Sequence, residues 1–196
     1  MTTEKSNEHL AVDGSPIEHL THISILRMYA RKMRGSKRLT PLIGPAPLDI
    51  IITSLGALLG IGVVAIASLV YSEPLIVASF GASAVLIYGV PDAPLSQPRN
   101  VIGGHVLSAI TGVLTYMTCG LTWWSVALGT TLAIVVMILT KTTHPPGGAT
   151  ALFAITSRAN LTYIVAPVFI GAIILVIIGV LVNNLSPNRS YPRYWL

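Results

Sequence analysis

The residues of this chain best suited to binding chemistry lie in one segment, Lys141–Thr150, which reads KTTHPPGGAT. Its two consecutive prolines remove two backbone donors and bias His144 away from helical angles. The two glycines that follow have no Cβ, so backbone amides there can approach a ligand closely. Residues 149–155 then read as a short helix, and a helix N-terminus favours negative charge. The segment therefore predicts a site for a small anion at the start of a broken helix.

A second, related segment predicts that this site has two halves. An ungapped shift of 67 residues places Gly81-Ala82-Ser83-Ala84 on Gly148-Ala149-Thr150-Ala151. The same shift pairs three further glycines: Gly62 with Gly129, Gly104 with Gly171 and Gly112 with Gly179. We therefore expect two tandem repeats, each consisting of a span, a short broken segment and a span. Paired broken segments at corresponding places are a strong pointer to a transporter site.

The candidate substrate-binding residues are those at the openings of the two broken helices: Ser79, Gly81, Ala82, Ser83, Thr143, His144, Gly147, Gly148, Ala149 and Thr150. Hydroxyl groups at such places cap backbone amides, and the same groups can contact a small ligand. His144 has three readings: it donates to an anion, carries a proton or bonds a neighbouring carbonyl. His105, in an otherwise uncharged span, either shares in the proton chemistry or makes an interhelical hydrogen bond. Arg99 and Lys141 flank the broken segments and serve as interfacial anchors or attract the anion.

Composition places the chain among polytopic membrane proteins. Its 196 residues are 53% hydrophobic and 10% charged, whereas soluble domains carry about a quarter charged residues. Six of the twelve basic residues lie between Arg27 and Arg38, which predicts a cytoplasmic N-terminus and gives no case for a nucleic-acid partner. The single Cys119 excludes an internal disulfide. Without a carboxylate pair, a metal-type cluster or a nucleophile elbow, we expect no enzyme activity, cofactor or metal.

We expect an all-α fold with two parts. Residues 1–40 form a basic cytoplasmic segment, in which 17–33 can form an amphipathic helix, and residues 41–196 form the transmembrane domain. Four full spans are predicted, each close to the ~20 residues that cross a lipid bilayer: 50–70, 101–118, 122–140 and 163–182. Two short segments lie between them: 74–90, interrupted at 79–83, and 141–157.

The path of the two short segments decides the topology. If both cross the membrane, each half has three crossings and the repeats are inverted; Arg99 and Lys141 then lie inside and Arg158 outside. If both re-enter from one side, the halves are parallel and all three residues lie outside. The positive-inside bias favours the inverted arrangement. Both arrangements return the two termini to the cytoplasmic side of a cell inner membrane.

Three motifs, in this order, resemble the HPP family of integral membrane proteins: FGASA at 80–84, SQPRNVIGGH at 96–105 and HPPGGAT at 144–150. The resemblance covers roughly residues 40–196. Family members of cyanobacteria and plastids are known as nitrite transporters, so the resemblance implies nitrite as the leading substrate. It also implies four membrane spans, the number usually described for the family.

Three functions are open from the sequence. The leading one is a nitrite or other small-anion transporter or channel, in which the anion binds at the N-termini of the two broken helices near the membrane midplane. The second is a membrane sensor that recruits a cytosolic partner through residues 1–40. The third, an intramembrane enzyme using His105 and His144, lacks a nucleophile–base pair. Small residues such as Gly56 and Gly60 indicate close packing of helices, or of protomers in a homo-oligomer.

Overall fold

The structure is a computed structural model that describes residues 46–71 and 78–195, together with Arg27. The described residues form six α-helices: α1 (Pro47–Tyr71), α2 (Ala78–Ala84), α3 (Pro98–Cys119), α4 (Trp123–Leu139), α5 (Pro145–Thr156) and α6 (Ile170–Asn183). They contain no strand, so the predicted all-α class is confirmed for this part of the chain. The predicted basic segment 1–40, with its amphipathic helix, lies outside the described residues except for Arg27.

Two π-helical segments extend the helices. Val85–Gly89 follows α2, and Ile164–Phe169 precedes α6. Residues 79–83, where the sequence predicted a break, are helical, because a glycine without a proline leaves every backbone donor in place. The irregular backbone lies instead after α2 and at Ala166, where the residue before Pro167 is kept out of the helical region at φ −125° and ψ 115°.

Three segments are long and apolar enough to cross a membrane: Pro47–Val70, Pro98–Cys119 and Ile164–Asn183. The fourth expected span, 122–140, is a shorter apolar helix of 17 residues. It begins at Trp123 because Thr122 and Ser125 form a capping box, in which Thr122 Oγ1 accepts from Ser125 N at 3.1 Å. At ~1.5 Å per residue, α4 covers about 26 Å, slightly less than the hydrocarbon core of a bilayer.

Successive helices run in opposite directions, as contacts between their ends show, and the described loops lie at two ends of the bundle. At one end, which we call the Asp49 end, Arg189 Nε lies 3.2 Å from Asp49 Oδ1. At the same end Arg193 Nε lies 2.6 Å from Asp92 Oδ1. These two ion pairs join the C-terminal segment to the start of α1 and to the loop before α3.

The connections after α3, α4 and α5 follow the same alternation. Arg99 Nη2, at the start of α3, donates to the carbonyl of Thr140, just after α4, at 3.1 Å. At the opposite end, which we call the Arg158 end, Met117 near the end of α3 and Arg158 after α5 line one cavity. The Asp49 end therefore holds loops from both halves of the chain.

The two short helices pack against long helices through glycines. Four glycines mediate this packing: Gly104 and Gly112 of α3, and Gly171 and Gly179 of α6. A Cβ on Gly112 would lie 2.8 Å from Ala154 Cβ of α5, and one on Gly179 would lie 2.5 Å from Ile87 Cγ2, beyond α2. Helices approach this closely only where a side chain is missing. The glycines thus hold α5 against α3, and α2 with its π-helical extension against α6.

Candidate functional site

A polar cluster lies inside the bundle where α2, α3 and α5 meet. It consists of Ser79 and Ser83 of α2, His105 of α3, Thr150 of α5 and His144, the N-cap residue of α5. We call these five residues the histidine cluster. Each of them is at most 1% exposed. Polar groups buried this deeply among apolar helices are stable only when they are hydrogen-bonded.

The histidine cluster is a continuous line of hydrogen bonds. Five contacts make up the line: Ser79 Oγ–Thr150 Oγ1 2.9 Å, Thr150 Oγ1–His105 Nδ1 2.7 Å, His105 Nε2–Ser83 Oγ 2.7 Å, Ser83 Oγ–His144 Nε2 2.8 Å and His144 Nδ1–Leu95 O 2.8 Å. The ring centroids of His105 and His144 are 4.9 Å apart, and both rings contact Ser83. The line therefore runs from the start of α2 to the carbonyl of Leu95, in the loop before α3.

The carbonyl at the end of the line determines the direction of every bond when both imidazoles are neutral. A carbonyl oxygen only accepts, so His144 Nδ1 carries the proton and its Nε2 accepts from Ser83. Since Ser83 has one hydroxyl proton, it accepts from His105 Nε2–H. His105 Nδ1 then accepts from Thr150, which accepts from the first hydroxyl of the line. All five donors point toward Leu95.

The double proline positions His144. The residue before a proline is disfavoured in the helical region, and His144 is extended, with φ −142° and ψ 104°. Its ring therefore leaves the axis of α5 and reaches Ser83 of α2. Gly104 makes room for it, since a Cβ there would lie 2.6 Å from His144 Cβ. His105 directly follows Gly104 on α3, and its ring packs edge-on against that of Phe80, with centroids 5.2 Å apart.

The first turn of α5 offers side chains rather than backbone amides. Pro145 and Pro146 have no N–H, and Gly147 N donates to the His144 carbonyl at 2.8 Å. A Cβ on Gly147 would lie 2.9 Å from the Gly104 carbonyl oxygen. This geometry corrects the prediction that an anion approaches the Gly147 amide. The amide already donates to a carbonyl, and α3 fills the space beside it.

The remaining predicted binding residues lie outside the histidine cluster. Three are exposed and one is half-buried: Gly81, Ala82 and Ala149 are exposed, and Gly148 is half-buried. A Cβ on Gly81 or on Gly148 would meet open space, so both glycines lie on outer faces of their helices. Thr143 is half-buried, and its carbonyl accepts from Asn100 Nδ2 at 2.9 Å. The structure does not bring these residues to the line of hydrogen bonds.

Arg99 and Lys141 lie at the Asp49 end of the bundle. Arg99 is half-buried, and its guanidinium is engaged by the Thr140 carbonyl. Lys141 is exposed and has a φ of 57° in the turn after α4. Neither side chain belongs to the line of five bonds, so their predicted role in anion attraction can act only from the surface.

Ser108 belongs to this region although the sequence did not single it out. It is fully buried on α3, one turn beyond His105, and its Oγ has no hydrogen-bond partner among the described residues. A Cβ on Gly147 would lie 2.9 Å from this oxygen, so the hydroxyl lies against the first turn of α5. Ser108 lies four residues after Gly104 and three after His105, so it neighbours both on the surface of α3, and this spacing is the signal that could have found it.

Cavities open at both ends of the bundle. At the Arg158 end a cavity of about 250 Å³ is lined by residues that include Ser157, Arg158, Asn160 and Tyr163. Tyr163 Oη donates to the Thr150 carbonyl at 3.3 Å, so this side chain connects the cavity with the histidine cluster. At the Asp49 end a cavity of about 500 Å³ is lined by residues 89–93, Asp49, Asn188 and Arg189.

Comparison with known proteins relates the chain to membrane proteins. It is 40% identical to a transmembrane protein of Dictyostelium discoideum over 149 residues, 68% of this chain and 52% of that protein. A second transmembrane protein of the same organism is 44% identical over 125 residues, 60% of this chain and 40% of that protein. The chain thus spans about half the length of these curated relatives, or less. A probable potassium transport system protein Kup of Flavobacterium johnsoniae is 28% identical over 106 residues, 54% of this chain and 16% of that protein.

No solved structure matches the chain. The family profile described as HPP, transmembrane region, matches residues 44–192, a stretch that contains all six helices and the whole histidine cluster. Because this match covers most of its length, the chain belongs to the HPP transmembrane family.

Proposed function

We propose that this protein transports a small monovalent anion, with nitrite as the leading substrate, across a cell inner membrane. The observation that carries the proposal is the histidine cluster, a line of imidazole and hydroxyl groups buried inside a membrane domain. Ionisable groups inside such domains are costly and typically mark the path of a substrate or an ion. The similarity to a probable potassium transport protein supports membrane transport as the general activity.

The chemistry of the cluster suits an anion better than a metal cation. Helices α2 to α6 contain no Asp or Glu, so no carboxylate in them can hold a cation. The cluster consists of imidazole and hydroxyl groups instead, and the unpartnered hydroxyl of Ser108 supplies a donor beside Gly147. A site framed by neutral donors holds a monovalent ion weakly enough to release it. Arg158, which lines the adjoining cavity, favours the entry of an anion.

The arrangement that we propose is a pair of inverted repeats with three crossings each. Helices α2 and α5 begin 67 residues apart, which is the shift that aligns the glycines in the sequence. The contact of Gly112 with Ala154 has its counterpart in that of Gly179 with Ile87, again 67 residues apart. Each half contributes three segments that alternate in direction. An odd number of crossings inverts the second half relative to the first.

The charges of the loops support one orientation of this bundle. Four cationic residues belong to the Asp49 end: Arg99, Lys141, Arg189 and Arg193. Arg158 belongs to the opposite end. Since cationic loops favour the cytoplasmic side, we assign the Asp49 end to the cytoplasm, which places both termini of the domain there.

Anion uptake by proteoliposomes tests the proposal. The purified protein should take up nitrite faster than protein-free liposomes do, and competition by formate, nitrate, bicarbonate and chloride should rank the anions. Thr111→Val on α3 is a matched control, because the Thr111 hydroxyl donates to the Leu107 carbonyl and lies outside the cluster. This variant should transport like the wild type, whereas Thr150→Val should transport more slowly. Uptake of potassium but of none of these anions would overturn the proposal.

A further inference from the structure

We infer that a proton is transported together with the anion, and that either histidine can take up this proton with the help of a hydroxyl that switches between two acceptors. The inference rests on the proposed anion transport and names its coupling ion. The hydroxyls are those of Ser83, beside His144, and of Thr150, beside His105.

Ser83 has two acceptors within reach and one proton to donate. Its Oγ lies 2.8 Å from His144 Nε2 and 3.1 Å from the carbonyl oxygen of Ser79, one turn earlier in α2. When the cluster is neutral the proton goes to the imidazole, because the Nδ1–H of the same ring is committed to the Leu95 carbonyl. The carbonyl of Ser79 then remains as a second position for the same hydroxyl.

Thr150 has the same choice. Its Oγ1 lies 2.7 Å from His105 Nδ1 and 3.3 Å from the carbonyl oxygen of Pro146. The two switching hydroxyls are 67 residues apart in the sequence, and so are their two carbonyl acceptors. Hydroxyls in helices often bond the carbonyl four residues earlier, as Thr111 does on α3. The two cluster hydroxyls differ because an imidazole nitrogen also lies within hydrogen-bond distance.

Once an acid reaches the buried cluster, the hydrogen bonds within it adjust to an added proton through the rotation of one hydroxyl. When an aqueous acid gives a proton to His144 Nε2, this nitrogen becomes a donor to Ser83 Oγ, and the hydroxyl proton turns to the Ser79 carbonyl. The bond from Nδ1–H to Leu95 stays in place. One N–H bond forms, the acid loses one proton, and the cluster gains one positive charge without losing a hydrogen bond. Release of the proton reverses these changes.

The transported anion is the counter-charge that a protonated cluster requires. Helices α2 to α6 contain no Asp or Glu. The other polar groups nearby cannot replace one: the phenol of Tyr163 donates to the Thr150 carbonyl, and Arg99 and Lys141 are cations at the Asp49 end. A buried imidazolium without an anionic partner is strongly unfavourable. The proton and the anion therefore enter together.

The distance between the rings sets the number of protons. The two ring centroids are 4.9 Å apart, so a positive charge on one imidazole opposes a second charge on the other. One proton then accompanies each monovalent anion, and the transport step moves no net charge.

The number of protons that enter with each nitrite ion tests the inference. Proteoliposomes that contain the full chain and an internal pH dye receive external sodium nitrite at equal pH on both sides, with the membrane potential set by potassium and valinomycin. Protein-free liposomes correct for passive entry of nitrous acid. We expect one proton per nitrite, at a rate independent of the potential. Nitrite uptake without acidification, or uptake that follows the potential, would overturn the inference and leave the proposed function intact; absence of any anion uptake would overturn both.

Variants separate the hydroxyl switches from packing. The double variant Ser83→Ala with Thr150→Val removes both switching hydroxyls, and we expect it to lose the proton uptake that accompanies each nitrite ion. Thr150→Ser, which keeps the hydroxyl, and the control Thr111→Val should both retain one proton per nitrite. Because the ratio is measured per ion transported, a smaller amount of active protein does not change it. A double variant that still carries one proton per nitrite would overturn the inference.

Discussion

At the scale of single residues, Gly147 and Gly148 are neighbours in α5 with opposite surroundings. A Cβ on Gly147 would lie 2.9 Å from the Gly104 carbonyl oxygen and 2.8 Å from Met137 Sδ, whereas one on Gly148 would meet open space. We expect Gly147→Ala to lower the free energy of unfolding by about 1–3 kcal/mol through overpacking. Gly148→Ala should leave it unchanged or raise it slightly, because alanine is the better helix former.

Thermal unfolding of the two variants in detergent, followed by tryptophan fluorescence, measures this difference. Equal melting temperatures of Gly147→Ala and Gly148→Ala would contradict the packing role assigned to Gly147.

The sequence allowed part of the site to be predicted at this scale. The double proline and the repeat pointed to His144, Ser83 and Thr150, and all three lie in the histidine cluster. The bonds that join them to His105 could not be predicted, because three helices far apart in the sequence meet there. An anion site at the Gly147 amide was predicted without considering two facts. The prolines before Gly147 remove backbone donors, and the Gly147 N–H already donates to the His144 carbonyl.

At the scale of helices, the close pairing of α3 with α5 depends on Gly112. A Cβ at this position would lie 2.6 Å from the Ala151 carbonyl oxygen and 2.8 Å from Ala154 Cβ. Gly112→Ala should therefore separate the two helices and lower the melting temperature. Gly179→Ala should act in the same sense through Ile87, since it occupies the equivalent position of the proposed repeat.

Gly62→Ala is the matched control for these variants, because a Cβ on Gly62 would meet open space. In detergent, both packing variants should have a lower melting temperature than the wild type, and the control should have a melting temperature close to it. If Gly112→Ala had the same melting temperature as the control, the contact at this glycine could not be what holds α5 in place.

Helix boundaries were predictable where the local chemistry is strong. The turn between α3 and α4 follows from Gly120, which has a φ of 66° that other residues rarely adopt. The start of α5 follows from the prolines after His144. The break expected at 79–83 was wrong, since this stretch forms α2. Glycine alone was too weak a signal there, whereas Pro167 inside the last predicted span marked a real departure from the helix.

At the scale of the whole molecule, the inverted arrangement predicts the side on which each loop lies. Ala93 lines the cavity at the Asp49 end, and Asn160 is exposed at the Arg158 end. In a Cys119→Ala background, we expect a cysteine at Asn160 to react with an impermeant thiol reagent added outside intact cells. A cysteine at Ala93 should react only after the membrane is opened. Labelling of both positions from outside would instead support parallel halves with re-entrant segments.

The central claim is that transport passes through the histidine cluster, and nitrite uptake by His144→Ala tests it most directly. This change leaves the Ser83 hydroxyl and the Leu95 carbonyl without their imidazole partner. With equal amounts of folded protein by size exclusion, we expect uptake to fall by about tenfold or more, since each ~1.4 kcal/mol added to the barrier slows a step by a factor of ten. The control Thr111→Val should keep the wild-type rate. Uptake by His144→Ala at the wild-type rate would contradict the claim.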